Sequence, residues 1–241
     1  DFDGKEYVDL LAGIAVVGLG HGNEEIADVM AAQARKLVHV SNLFYQEEQL
    51  DFAEKLLATC HAGKAFFCNS GAEANEAAIK IARRYQRQVK GRDAWEVVSL
   101  DNCFHGRTLA ALAATGKHTE GFEPLPDGFR RVPWGDLAAL EAAITPHTAA
   151  VLVEAIQGEG GVFPLGREYA QGIEALCRKH GVLLMCDEVQ GGMGRSGKFW
   201  AFQHYDLTPD VITSAKALAN GLPLGAMLVT DEVAAGFDYG S

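Results

Sequence analysis

The chain has 241 residues, 48% hydrophobic and 22% charged, which suits one large globular domain or two small ones and excludes a disordered chain. A net charge of −11 argues against nucleic acid or an anionic membrane as partner, because both are held by clustered Lys and Arg. Five scattered cysteines (Cys60, Cys68, Cys103, Cys177 and Cys186) lack Cys-x-x-Cys spacing, and no signal-peptide pattern or membrane-length apolar run is present, so the expected compartment is the reducing cytoplasm.

Residues 3–22 alternate loosely and then turn small and apolar, which predicts short strands and a Gly-rich crossing. The GLGHG at 18–22 is a poor dinucleotide loop, since no clear strand precedes it and no acidic residue follows at the right distance. Asn23 reads as an N-cap, with Glu24 and Glu25 in the first turn and Ile26, Val29, Met30 and Leu37 at helical spacing. A second amphipathic helix is expected from about Gln46 to Cys60.

Ala65 to Cys68 reads as a short buried strand, Asn69 to Gly71 as a tight turn, and the residues from Ala72 as a helix whose apolar face carries Ala74, Ala78, Ile81, Ala82, Tyr85 and Val89. Ser70 and Glu73 have capping-box spacing. Strand, glycine turn and helix start together gather free N–H groups into an anion site, although a plain capped helix fits the same pattern.

Strand WEVVSL then exits into Phe104, His105 and Arg107, ahead of an Ala-rich helix. An aromatic and an arginine there suit a planar ring and a carboxylate; equally, they suit the core and a surface ion pair. His105 reads as a structural or hydrogen-bonding histidine. The Pro-containing stretch 121–135 reads as a loop, followed by a helix from Asp136 to Ile144. Strand AAVLVEA ends at Glu154 and the Gly-rich IQGEGG, which puts Glu159 on a loop at the same sheet edge.

A helix from Arg167 to Lys179 leads to GVLLMCDEVQ, an apolar run that stops at Asp187 and Glu188. Such a run predicts a strand buried on both faces with Asp187 at its carboxyl end, the edge at which open α/β sheets bind ligands. A further run, DVITSAK, ends on Lys216 among Ser214, Ala215 and Ala217, where little would solvate an amine. Lys216 is therefore a candidate for a depressed pKa and Schiff-base chemistry. Taken singly, Asp187 also fits a capped turn and Lys216 a snorkelling side chain. Alternating strands and helices with short loops predict an α/β fold with a mostly parallel, doubly wound sheet.

Gly192 to Lys198 fits the first seven positions of a P-loop, but Phe199 stands where Ser or Thr should hold Mg²⁺; a nucleotide-binding protein is the rival reading. The eight histidines show no paired metal spacing, and no metal is expected.

SGAEANEA, FHGRT, VEAIQGEGG, DEVQ with GRSG, and the lysine of DVITSAKALANGLPLGAML, in that order, resemble the class III aminotransferases of fold type I. LLAGIAV and SNLFYQEEQ are similar to the members acting on acetylornithine. The resemblance implies pyridoxal 5′-phosphate, held as a covalent aldimine on Lys216, with Lys216 and Asp187 as the catalytic pair. It implies that Gly71 and Ala72 hold the phosphate, that Phe104 and Val189 cover the ring faces, and that Asp187 keeps the ring nitrogen protonated. Gln190 then bonds the ring hydroxyl, and Glu188 joins the same cofactor shell. Arg107 would clamp a substrate carboxylate, with Glu159 as a gate for the two substrates. The implied reaction moves the terminal amine of N²-acetyl-L-ornithine to 2-oxoglutarate, giving N-acetyl-L-glutamate 5-semialdehyde and L-glutamate, a step of arginine biosynthesis. Ornithine, succinylornithine and 4-aminobutyrate are alternative donors with the same machinery. A cytoplasmic homodimer with the active site at the subunit interface is implied as well. Residues 1–22 are expected to form an incomplete N-terminal segment and 23–241 a large cofactor-binding domain, with the C-terminal small domain missing from a chain that is a piece of something longer. A non-catalytic, cofactor-binding remnant is the remaining alternative.

Overall fold

The computed structural model describes residues 1–241. Seven strands form one sheet: β1 (Lys64–Cys68), β2 (Glu96–Leu100), β3 (Phe129–Val132), β4 (Thr148–Val153), β7 (Leu183–Asp187), β8 (Val211–Ser214) and β9 (Gly225–Val229). Their order is β1-β9-β8-β7-β4-β2-β3. The five from β3 to β8 run parallel, and β9 is antiparallel to both of its neighbours. A small hairpin of β5 (Ile156–Gln157) and β6 (Phe163–Pro164) stands apart.

The period-two alternation of the central strands sorts their side chains onto two buried faces. Val98, Leu100, Val151, Val153, Leu184 and Cys186 join one core cluster, while Val97, Ala150, Leu152, Leu183 and Met185 join another. Helices cover both faces, as a doubly wound sheet requires. The helices are α1 (Glu24–Lys36), α2 (Glu47–Leu57), α3 (Gly71–Arg84), α4 (Leu109–Thr115), α5 (Leu137–Ala143), α6 (Arg167–His180) and α7 (Asp231–Ala234). α3 lies across β8 and β9 with Ala78, Ile81 and Ala82 inward, and α6 packs against β7 with Ala170, Ile173 and Cys177 inward. No helix is long and apolar enough to cross a membrane.

Several elements depart from expectation. The stretch read as a loop contains β3, whose Arg130 and Arg131 hid it: an edge strand keeps one flank in water and tolerates them. β1 is a partly exposed edge strand rather than a buried one. β9, masked by its glycine and proline neighbours, fills the gap between β1 and β8.

The N-terminal strands are absent; Ala12, Gly13, Ile14 and Ala15 instead make a left-handed turn with φ values from 50° to 66°. The turn carries Val16 to a cavity at the sheet edge, and Leu19 N–H is held by Asn220 Oδ1 at 2.8 Å. The N-cap at Asn23 and the α1 helix form as expected, with Ile26 N–H donating to Asn23 Oδ1 at 3.1 Å. Their apolar face is only partly covered within the chain: Ile26 and Leu37 are half-buried, while Val29 and Met30 remain exposed along with Leu10, Leu11, Val38, Phe44 and Tyr45.

Candidate active site

A cavity of about 440 Å³ opens at the carboxyl ends of the parallel strands. Its walls are the exits of β1 (Asn69 to Ala72), β2 (Phe104 to Arg107), β4 (Glu154), β7 (Asp187, Val189, Gln190) and β8 (Ala215, Lys216). The parallel topology is what gathers them, because each strand delivers its following residues to the same edge.

The turn after β1 opens α3. Ser70 Oγ accepts from Glu73 N–H at 3.2 Å, and Glu73 reaches back to Asn69 N–H at 2.8 Å. Gly71 and Ala72 hold the first two helical positions, where helix geometry supplies no intrahelical acceptor for their N–H groups, so both point free at the cavity edge. Glycine is required by two close approaches there. A Cβ on Gly71 would fall 2.8 Å from both methyls of Val189, and one on Gly225 of β9 would overlap the Ser70 carbonyl.

Asp187 sits 4% exposed on the cavity floor and is fully engaged. Its Oδ2 accepts from Asn75 Nδ2 at 2.8 Å and lies 2.7 Å from His105 Nδ1; its Oδ1 accepts from Val189 N–H at 3.0 Å. Asn75 in turn donates to the His105 carbonyl at 2.7 Å and accepts from Thr213 Oγ1 at 2.8 Å. Burial works against a charged His105, yet the neighbouring Cys103 and the Asp187 carboxylate hold its pKa well above the ordinary value. With a proton on Nδ1, His105 donates to Asp187 and keeps negative charge concentrated on that floor.

Lys216 follows β8 in the left-handed region, φ 50°, a conformation that costs a non-glycine residue energy and is found disproportionately at functional sites. Burial lowers the pKa of its amine, against the opposing pull of the Glu159, Asp187 and Glu154 carboxylates. Nζ donates to Gln190 Oε1 at 2.6 Å. Phe104 lines the wall between β2 and β4, and the Arg107 guanidinium lies 5.8 Å from its ring centroid without an ion pair in the chain.

Among the expected residues the structure therefore brings Gly71, Ala72, Phe104, Arg107, Asp187, Val189, Gln190 and Lys216 to one cavity. Glu188 is a correction. The strand's alternation turns its side chain to the opposite side of Asp187, where it is 1% exposed and accepts from Ala201 N–H at 2.8 Å and Phe202 N–H at 2.9 Å. It caps a 3₁₀ turn, Ala201–Tyr205, and touches no part of the cavity. Glu159 lies exposed on the β5–β6 loop, outside the lining. Gly192 to Lys198 make turns leading to that 3₁₀ element, whose first amides Glu188 already occupies, so the P-loop reading has no phosphate cradle. Asn75, Glu154 and Thr213, together with the link from His105 to Asp187, escaped the sequence reading. The one signal was an amide and a carboxylate interrupting otherwise apolar faces of α3 and β4.

The sequence matches the aminotransferase class-III family over residues 1–241. The chain belongs to the class-III aminotransferases. This class-III chain is 52% identical over its whole length to an acetylornithine aminotransferase of Myxococcus xanthus and 48% identical to one of Methanocaldococcus jannaschii. It spans 61% of the length of each of those curated relatives. Its fold matches an ornithine aminotransferase of Toxoplasma gondii with a TM-score of 0.94 at 32% identity, over all of this chain and 58% of that one. That structure holds PLP at partial occupancy in its active site. Class-III membership implies dependence on pyridoxal phosphate, and the donor set of the cavity fits it: free amides for a phosphate, an aromatic face for a ring, a carboxylate for a ring nitrogen and a desolvated amine for an aldehyde.

Proposed function

We propose that this chain forms the cofactor-holding part of an acetylornithine aminotransferase, moving the terminal amine of N²-acetyl-L-ornithine to 2-oxoglutarate to give N-acetyl-L-glutamate 5-semialdehyde and L-glutamate. The observation that carries the reading is the meeting of Lys216 and Asp187 in one cavity beside Phe104 and the α3 N-terminus, in a chain whose whole length resembles acetylornithine aminotransferases.

The Gly71 and Ala72 N–H groups would hold the cofactor phosphate, aided by the positive end of α3. Phe104 and Val189 would cover the cofactor ring, and Asp187 would hold a proton on its nitrogen. The cofactor supplies the electron sink for the amine's transfer. Lys216 would hold the cofactor through Nζ and is placed to give and take the proton at the substrate carbon. Its lowered pKa keeps a larger share of the amine neutral, the form able to attack a carbonyl or take a proton. Gln190 keeps Nζ in place at 2.6 Å and is also suited to the ring hydroxyl. Arg107, unpaired at the cavity wall, binds a substrate carboxylate, and Glu159 on its exposed loop gates the donor and acceptor substrates.

The exposed apolar side chains Leu10, Leu11, Val29, Val38, Phe44 and Tyr45 support a homodimer, in which a second copy covers them. Residues 1–22, which rest on the Lys216 region through Leu19 and Asn220, are assigned to that interface and 23–241 to the cofactor domain. Incubation with pyridoxal phosphate followed by acetylornithine, ornithine or 4-aminobutyrate tests the reading. Amine transfer fastest from acetylornithine supports it; faster transfer from ornithine moves the assignment to the activity of the Toxoplasma relative, and none from any donor leaves only cofactor binding.

A further inference from the structure

The cavity contains a carboxylate for which none of the roles above accounts. Glu154, 6% exposed, follows β4 and lines the wall, yet no cation pairs with it. Its two oxygens are divided between two different segments: Oε2 accepts from Phe104 N–H at 3.0 Å, and Oε1 accepts from Gly158 N–H at 3.2 Å. The first segment carries the aromatic wall. The second is pressed against Gln190, since any side chain at Gly158 would overlap the Gln190 amide, and Gln190 is the acceptor for Lys216 Nζ. One contact chain therefore runs from Phe104 through Glu154, Gly158 and Gln190 to Lys216.

The surrounding contacts tighten the same joint. Gln157 Nε2 donates to the Asp101 carbonyl at 2.9 Å, and a Cβ on Gly160 would come within 2.9 Å of the Asn102 carbonyl, so the 157–160 loop rests on the segment that leads to Phe104. Within that joint Glu154 is the buried ionisable member, and burial raises its pKa to about 7. The charge of the neighbouring His105 opposes that rise only in part, so keeping the group buried is costly, and a folding role alone is met more cheaply by a neutral acceptor.

We propose that Glu154 is a positioning residue that sets the Phe104 ring and the Gln190–Lys216 pair at a fixed separation, which is the width of the slot that the cofactor ring enters. The inference rests on the reading of this cavity as a pyridoxal phosphate site. The other links between the two segments, Gln157 to the Asp101 carbonyl and Gly160 against the Asn102 carbonyl, stop short of Phe104, and Glu154 alone ties the Phe104 amide to the Gly158 amide.

Wild type, Glu154→Gln and Glu154→Ala are compared by amide hydrogen exchange without cofactor, by equilibrium affinity for pyridoxal phosphate, and by the rate at which the near-ultraviolet band of covalent attachment to Lys216 appears. Gln retains one acceptor oxygen and Ala none, so the expected order is wild type, Gln, Ala in all three. In Glu154→Ala, Phe104 and Gly158 amides exchange at least about tenfold faster while β4 and β7 amides are unchanged, and cofactor affinity falls about ten- to a hundredfold, as for loss of a hydrogen bond to a charged acceptor. Should Glu154→Ala fail to fold, Glu154→Gln carries the test with exchange at one of the two amides and slower attachment. Variants that bind and attach the cofactor like wild type, even with altered exchange, reduce Glu154 to a folding contact and overturn the proposal. A wild-type protein that takes up no pyridoxal phosphate overturns the site reading itself, and this inference with it.

Discussion

Glu188 offers a sharp test of the physical account, because its environment makes opposite demands at low and high pH. The carboxyl is buried with no cation beside it, and burial lifts its pKa from 4.5 to about 8 despite the two amides that favour its ionised form. Between those two values the folded protein holds a proton that the unfolded chain releases, so this group's contribution to stability is intact below about pH 4.5 and is lost as pH rises through 8. At about 1.4 kcal/mol per pH unit the loss is on the order of 4–5 kcal/mol once ionisation is complete. Glu188→Gln cannot ionise, but its NH₂ faces one of two N–H donors and leaves that amide unsatisfied, which costs about 1–3 kcal/mol at every pH. Urea unfolding at pH 6 and pH 9 should therefore find the variant gaining about 3 kcal/mol on wild type between the two, and the more stable of the pair at pH 9. A deficit that stays constant between the two, or grows at pH 9, refutes the assignment of a neutral buried carboxyl at this position.

Three further outcomes follow from the cavity floor and its rim. Asn75→Ala leaves the His105 carbonyl and the Thr213 hydroxyl without their partner and strips a donor from Asp187, so the urea midpoint should fall by the equivalent of about 2–4 kcal/mol. Gly71→Ala forces Val189 aside, and an overpacking cost of about 1–3 kcal/mol placed where phosphate and ring are held should weaken pyridoxal phosphate binding about tenfold or more in equilibrium dialysis. For His105, whose raised pKa gives stability present below the ordinary value of 6.5 and lost as pH climbs through the raised one, His105→Gln should flatten the alkaline side of the stability profile measured by thermal melting.

The parts of this site that could be read in advance were those carried by chain order. A buried apolar run ending in an acid predicts a carboxylate at the ligand edge, and Asp187 is there; a glycine turn before a capped helix predicts free amides, and Gly71 and Ala72 supply them. What could not be read were contacts made across the fold. Asn75 meets Asp187 only because α3 lies over β8 and β9, and Glu154 bridges Phe104 and Gly158, which are 54 residues apart in the chain. Glu188 failed for a local reason: adjacent residues at a strand exit point to opposite sides, so a DEVQ motif brings one of its two acids to the cavity and buries the other in the core. β3 was missed because two arginines in four residues outweigh the apolar pattern at an edge, and β9 because its glycine signals a turn while serving close approach to Ser70.

One amine and one acid share a single cavity, and Lys216 is the most direct probe of that meeting. Pyridoxal phosphate added to the wild-type protein should give a near-ultraviolet band that survives gel filtration and, after borohydride reduction, a cofactor mass on the peptide containing Lys216. Lys216→Ala should bind the cofactor without either signature. A label found on another lysine, or a band unchanged in Lys216→Ala, would contradict the assignment.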